Sequence, residues 1–198
     1  MKMNSSHSLN EKMPFWDKIK NHFSAQRMKR EGARPRDPVV VNFHHARSIG
    51  FLYHSKDEAT FILVKQFAEK IIKTFGTRKT LALAFISEKE APRYHGHILQ
   101  SDYFTKKNLN WHGYPKGLAV KTFCTTDFDI LIDLSDGKAR PLTNILERST
   151  ARFKIGREPE NESYDLILPM RLDSTLDQYF SRLINLLSTI NHESSKIA

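Results

Sequence analysis

Hydrophobic positions along the chain fall into short dense runs separated by stretches of helical spacing. The clearest runs are Ser48 to His54, Thr80 to Ile86, Phe128 to Leu134, Ala151 to Gly156 and Tyr164 to Leu168. Apolar residues crowd these runs without strict alternation, which predicts strands buried on both faces, as in a parallel sheet. Between the first two runs, Phe61, Val64, Ala68, Ile71, Ile72 and Phe75 recur three or four apart and give one apolar helix face that ends at Gly76. Ser55 and Glu58 stand at capping-box spacing ahead of that helix. Strand, helix and strand in this order make a βαβ unit. A short helix is predicted from Pro141. A last one starts from a Ser174 cap and carries Leu176, Phe180, Leu183, Ile184 and Leu187.

Other segments are less regular. Val39 to Phe43 predicts an edge strand, and Ser87 to His97 a charged loop. Tyr103 to Tyr114 predicts a hairpin at the sheet edge, and Leu118 to Phe123 a further short extended piece. The sum is a Rossmann-like α/β domain over residues 37–190: a three-layer sandwich with a mostly parallel sheet and a hairpin-like insertion. Residues 191–198 form a polar tail.

Residues 1–36 differ in kind. Phe15, Trp16, Ile19 and Phe23 fall three or four apart, with Lys18, Lys20, Arg27, Lys29 and Arg30 mostly elsewhere, so an N-terminal amphipathic helix is predicted. A linker rich in Pro and Arg follows, from Glu31 to Pro38. Charge sharpens the contrast. The whole chain carries +9; residues 1–36 hold nine Lys and Arg against three Asp and Glu, leaving the folded body nearly balanced. A basic arm suits an acidic partner such as RNA or anionic lipid, whereas the aromatic stripe suits an unidentified protein partner or self-association. Phe15, Trp16, Ile19, Lys20 and Phe23 are the candidate partner-binding residues. A solvated or self-docking tail is the plain alternative.

Composition narrows the setting. No run approaches the roughly 18 apolar residues of a membrane span. Met1 to Glu11 lacks the apolar segment of a signal peptide. Cys124 is the only cysteine, so no internal disulfide can form, and a cytoplasmic setting is expected.

Candidate chemistry follows from the sheet. In an open parallel sheet, ligands sit at the carboxyl ends of strands where the strand order reverses. That rule selects His54, Ser55 and Asp57 after the first strand and Ser135, Asp136 and Gly137 after the fourth. If those strands are neighbours, Asp57, His54 and Asp136 share a crevice, and His54 with Asp57 makes a candidate acid/base pair. The alternative is that Ser55 and Asp57 cap their helix and Asp136-Gly137 is a turn. Neither phosphate-gripping glycine loop is present, and no cofactor is expected. The histidines at 44, 45, 95, 97 and 112 come without a Cys pair or a His-Glu-x-x-His, so no metal is expected. Cys124 reads as a structural thiol. Trp111, Tyr114, Tyr103 and Phe104 among Lys106, Lys107 and Lys116 read either as a base-stacking surface or as side chains packed on the sheet.

The block Phe128-Asp129-Ile130-Leu131-Ile132-Asp133-Leu134, followed by Phe153-Lys154-Ile155-Gly156, resembles the N-terminal Rossmann-like domain of bacterial heptosyltransferases. The match covers about a quarter of the chain and consists largely of core residues, so it implies a fold more than an activity. The resemblance places that family's catalytic base at Asp57. It departs in two respects: His54-Ser55-Lys56-Asp57 lacks the family's loop glycine, and no room remains after Met170 for a donor-binding second domain. As a whole, the chain resembles a small bacterial family of single α/β domains, which brings no activity with it. The expectation is a non-catalytic domain that binds a partner or small ligand. Two alternatives stand beside it. One is a sugar- or nucleotide-processing enzyme related to glycosyltransferase N-terminal domains; the other is an RNA or anionic-membrane binder acting through the arm.

Overall fold

The computed structural model describes residues 38–95, 100–158, 161–171 and 173–190. They all fall within one compact unit, Gly32–Ala198. The predicted N-terminal helix and its residues Phe15, Trp16, Ile19, Lys20 and Phe23 lie outside the described residues, as do His97 and the polar tail.

Six strands pair into one sheet: β1 (Ser48–His54), β2 (Lys79–Ile86), β3 (Ser101–Thr105), β4 (Ile130–Asp133), β5 (Phe153–Gly156) and β6 (Leu166–Ile167). Every pairing is parallel, and the order across the sheet is β3-β2-β1-β4-β5-β6. The chain starts in the middle, builds outward to β3, and then returns to lay β4 on the other side of β1. The order therefore reverses between β1 and β4. Register aligns Ile49 with Ile130 and Leu52 with Asp133, so the two strands end side by side.

The helices are α1 (Glu58–Phe75), α2 (Leu118–Thr125), α3 (Arg140–Arg148) and α4 (Leu176–Thr189). α2 and α3 cover one face of the sheet, where Val120, Phe123, Leu142, Ile145 and Leu146 join Leu52, Leu83, Phe104 and Leu131 in one buried cluster. On the other face α1 packs against α4, with the rings of Phe67 and Phe180 stacked at 4.0 Å. Sheet and two helical layers make the expected Rossmann-like sandwich. Among the described residues no helix is long and apolar enough to cross a membrane.

Local chemistry moves several boundaries. α1 is capped by Asp57, whose carboxylate accepts the Thr60 amide at 2.7 Å, and not by Ser55, which is buried. Gly76 ends it in the left-handed conformation, φ 67°, with its N–H on the Ile72 carbonyl. α4 starts from a capping box of Thr175 and Gln178, one residue beyond Ser174. Leu118 to Phe123 is helical, not extended. Val120, Phe123 and Cys124 are buried together while Leu118 is left 80% exposed, a one-sided pattern too short to give helical periodicity away. Val39 to Phe43 is not a strand; it is anchored by the Val39 amide on the Arg152 carbonyl and the Phe43 amide on the Leu187 carbonyl. Ser101–Thr105 pairs parallel with β2, and the hairpin-like part of the insertion is confined to an antiparallel bridge between Leu109 and Pro115.

Candidate functional site

At the reversal between β1 and β4 lies an open cleft of about 1000 Å³. Its floor is His54, Phe85 and Ser87 from the ends of β1 and β2. One wall is Lys56 and Asp136, followed by Lys138, Ala139 and Arg140 leading into α3; the far rim is His112, Gly113 and Tyr114. A crevice at this place follows from topology, because the loops leaving β1 and β4 run to opposite sides of the sheet.

The floor is tightly organised. The His54 imidazole stacks on Phe85 with ring centroids 5.5 Å apart and shares a 2.7 Å hydrogen bond between Nε2 and Ser87 Oγ. Partial burial, reinforced by the Lys56 ammonium, pushes the His54 pKa below its usual value. Its imidazole is therefore neutral at physiological pH. Lys56 Nζ and Asp136 form an ion pair at 3.1 Å that ties the β1 exit loop to the β4 exit loop. Burial opposes ionisation of Asp136, but hydrogen bonds from Lys56 and the Lys138 amide outweigh it and hold the carboxyl below its ordinary value.

The wall on the β4 side is braced from beneath by a buried polar cluster. Asp133, 1% exposed, accepts the Ser135 amide on Oδ1 and the Tyr164 hydroxyl on Oδ2, both at 2.8 Å. Complete burial raises its pKa despite these bonds. The Arg157 Nε donates to the Ser135 carbonyl at 2.6 Å. Gly137 turns the loop at φ 70°, a left-handed conformation unfavourable for side chains with a Cβ.

These placements sort the residues selected from the sequence. His54 and Asp136 line the same cleft, as the adjacency of β1 and β4 requires. Asp57 is absent from the lining: its carboxylate caps α1, and the hydrogen bonds from Thr60 hold its pKa down. Ser55 points into the interior, where its hydroxyl pairs with His95 Nε2 at 2.7 Å. Ser135 is buried under the wall, and Gly137 shapes the loop above it. The positions missed from the sequence are Lys56, Ser87, Lys138 and Arg140; His112 and Tyr114 are weighed there as a metal ligand and a base-stacking residue, but not as the rim of this cleft. Ser87 was reachable by the same rule, since it follows β2. The rim was not, because its position depends on how the insertion folds back. Among the described residues no three His, Cys, Asp or Glu side chains are grouped to hold a metal.

A family model described as a family of unknown function, DUF6913, matches residues 19–190. The chain belongs to that family. No curated protein and no solved structure matches it. The matched range includes all six strands and every cleft residue named above.

Proposed function

We propose that the protein is a small-ligand-binding domain whose site is the cleft between the β1 and β4 exit loops. The observation that carries this reading is the cleft's position at the strand-order reversal, with a size in the range of small-molecule pockets and convergent polar groups. A thermal-shift screen of the full chain against nucleotides, sugar phosphates and carboxylates tests it. A ligand at about 100 times its dissociation constant adds roughly 2.7 kcal/mol of stability. Thr143→Trp, which places an indole in the cleft, should abolish the shift, and Asp57→Asn should leave it intact. Shifts that ignore the occluding variant would sink the reading.

One observation favours a catalytic form of the same site. With its proton on Nδ1, a neutral His54 accepts from the Ser87 hydroxyl through Nε2 and is a base held against it, an arrangement suited to moving a proton at a bound ligand. On this reading the sugar- or nucleotide-processing alternative rests on His54 and Ser87, with Asp57 in a supporting structural role. Turnover of a bound compound that survives in His54→Gln would exclude it.

A further inference from the structure

The rim of the cleft is built unlike an ordinary surface loop. Asn110 organises it: its Oδ1 accepts the backbone amides of His112 at 3.0 Å and Tyr114 at 2.9 Å, while its own backbone N–H donates to the Tyr114 carbonyl at 2.9 Å. Gly113 closes the turn at φ 82°, and the Lys116 amide bonds the Asn108 carbonyl at 2.8 Å. From outside, Arg148 of α3 donates to the Pro115 carbonyl at 3.3 Å. The backbone is therefore fixed, yet the side chains it carries are left in water. Trp111 is 89% exposed and Tyr114 54% exposed. A single exposed aromatic residue is unremarkable, but here Tyr114 lines the cleft and Trp111, just outside the lining, is in ring contact with His112, which also lines it, so the braced turn carries a preordered stacking surface.

The opposite wall supplies charge. Lys56 is spent on Asp136, but Lys138 and Arg140 have no ion pair or side-chain hydrogen bond among the described residues. The α3 terminus beside them offers few backbone donors to an anion. Pro141 has no N–H, and the amides of Leu142 and Thr143 are both directed to the Ala139 carbonyl. Of the carboxylates lining the cleft, Asp136 is paired with Lys56 and Glu147 stands seven residues further along α3 from Arg140, so the Lys138 and Arg140 side chains are the groups left to meet an anion, and a guanidinium with an ammonium suits a phosphate.

We infer that the cleft takes a planar-ring compound bearing a phosphate, its ring against the Trp111–Tyr114 turn and its anion on Lys138 and Arg140. This rests on the cleft being a ligand site and adds the chemical class of the ligand. The two recognition elements belong to different loops of the cleft lining, so neither half of such a compound engages both.

The test uses the full chain carrying Trp16→Phe, so that Trp111 is the only tryptophan, and follows its fluorescence. The probes are adenosine, guanosine, cytidine and flavin monophosphates, with the parent nucleosides lacking the anion and ribose 5-phosphate lacking the ring. At least one ring-bearing monophosphate should quench Trp111 and bind about tenfold or more tighter than either partial compound, the scale of one aromatic–base stack. In a thermal-shift readout that needs no tryptophan, Trp111→Ala should bring its affinity down to that of ribose 5-phosphate. Arg140→Ala should lower it towards that of the nucleoside, with Lys138 keeping part of the anion's contact. Both side chains lie at the surface, so circular dichroism should show the fold unchanged. If ribose 5-phosphate binds as tightly as the ring compounds, or Trp111→Ala changes nothing, the inference fails while the cleft remains a ligand site. If none of these probes binds but the broader screen yields a ligand blocked by Thr143→Trp, the ring-phosphate class alone is overturned. If nothing binds in either experiment, both readings fall.

Discussion

Gly156 ends β5 directly beneath the Tyr164 ring. A Cβ built there would overlap Cζ, Cε1 and Cε2 of that ring, whereas carbon atoms in contact settle at roughly 3.5–4.0 Å. Gly156→Ala must therefore displace Tyr164, whose hydroxyl holds the buried Asp133 carboxyl at 2.8 Å. Overpacking a core of this kind costs about 1–3 kcal/mol. Stranding a buried hydrogen-bonding partner costs about 1–3 kcal/mol more. The expected loss is thus about 2–6 kcal/mol, a large share of the roughly 5–15 kcal/mol of a typical domain. The sign is informative, because alanine in place of a strand glycine is otherwise favourable by roughly 0.5–1 kcal/mol. Urea denaturation followed by circular dichroism should show the midpoint shifted by about 1 M or more at an ordinary slope. In a Tyr164→Ala background the ring is gone, and adding Gly156→Ala should then cost little; the difference is a direct coupling between the two positions. A loss below about 0.5 kcal/mol in the parent, or the same loss in both backgrounds, would refute the reasoning.

The other predictions test separate parts of the fold. Phe180→Ala, which removes the ring stacked on Phe67 between α1 and α4, should cost about 3–5 kcal/mol by chemical denaturation; a loss under 1 kcal/mol would mean the two helices are not packed as described. Burial raises the Asp133 pKa, so the folded state keeps this proton to higher pH than the unfolded chain, and stability falls as pH rises from about 4 through the folded value. Asp133→Asn has no proton to lose, so thermal denaturation should show a shallower fall between acid and neutral pH; parallel curves would contradict the assignment. His95 has the opposite sign: burial lowers its pKa, so the unfolded chain takes the proton first and stability falls as pH drops below about 6.5. His95→Gln should flatten that acid limb in the same experiment, and an unchanged limb would place its origin elsewhere.

The parts of this molecule written as long buried runs were legible in the sequence. Ser48–His54 matched its strand to the residue, and α1 ended at Gly76, because two-sided burial and a left-handed stop leave unambiguous patterns. Short elements were not legible. α2 has only eight residues, so its apolar positions pass equally for an extended segment. β3 ends in the buried Phe104 and Thr105, but its exposed Asp102 and Tyr103 resemble the loop before them. Capping was read one or two residues away from its place, since Ser55, Asp57, Ser174 and Thr175 are all competent caps and tertiary packing chooses among them. At the site, the strand-end rule found His54 and Asp136 because topology alone determines where β1 and β4 stop. It could not separate Asp57, whose carboxylate turns back to its own helix, from a residue facing the cleft. Nor could it bring the 110–115 turn to the rim, which depends on a bond from Arg148 to Pro115 across 33 residues.

The most direct test of the central claim is an amide-resolved NMR titration of the full chain with a mixture of small phosphates, carboxylates and nucleotides. The account predicts saturable shifts concentrated at His54–Asp57, Leu134–Arg140 and the 110–115 turn. Shifts centred away from those three loops, or none with any compound, would contradict the assignment of the β1–β4 cleft as the binding site.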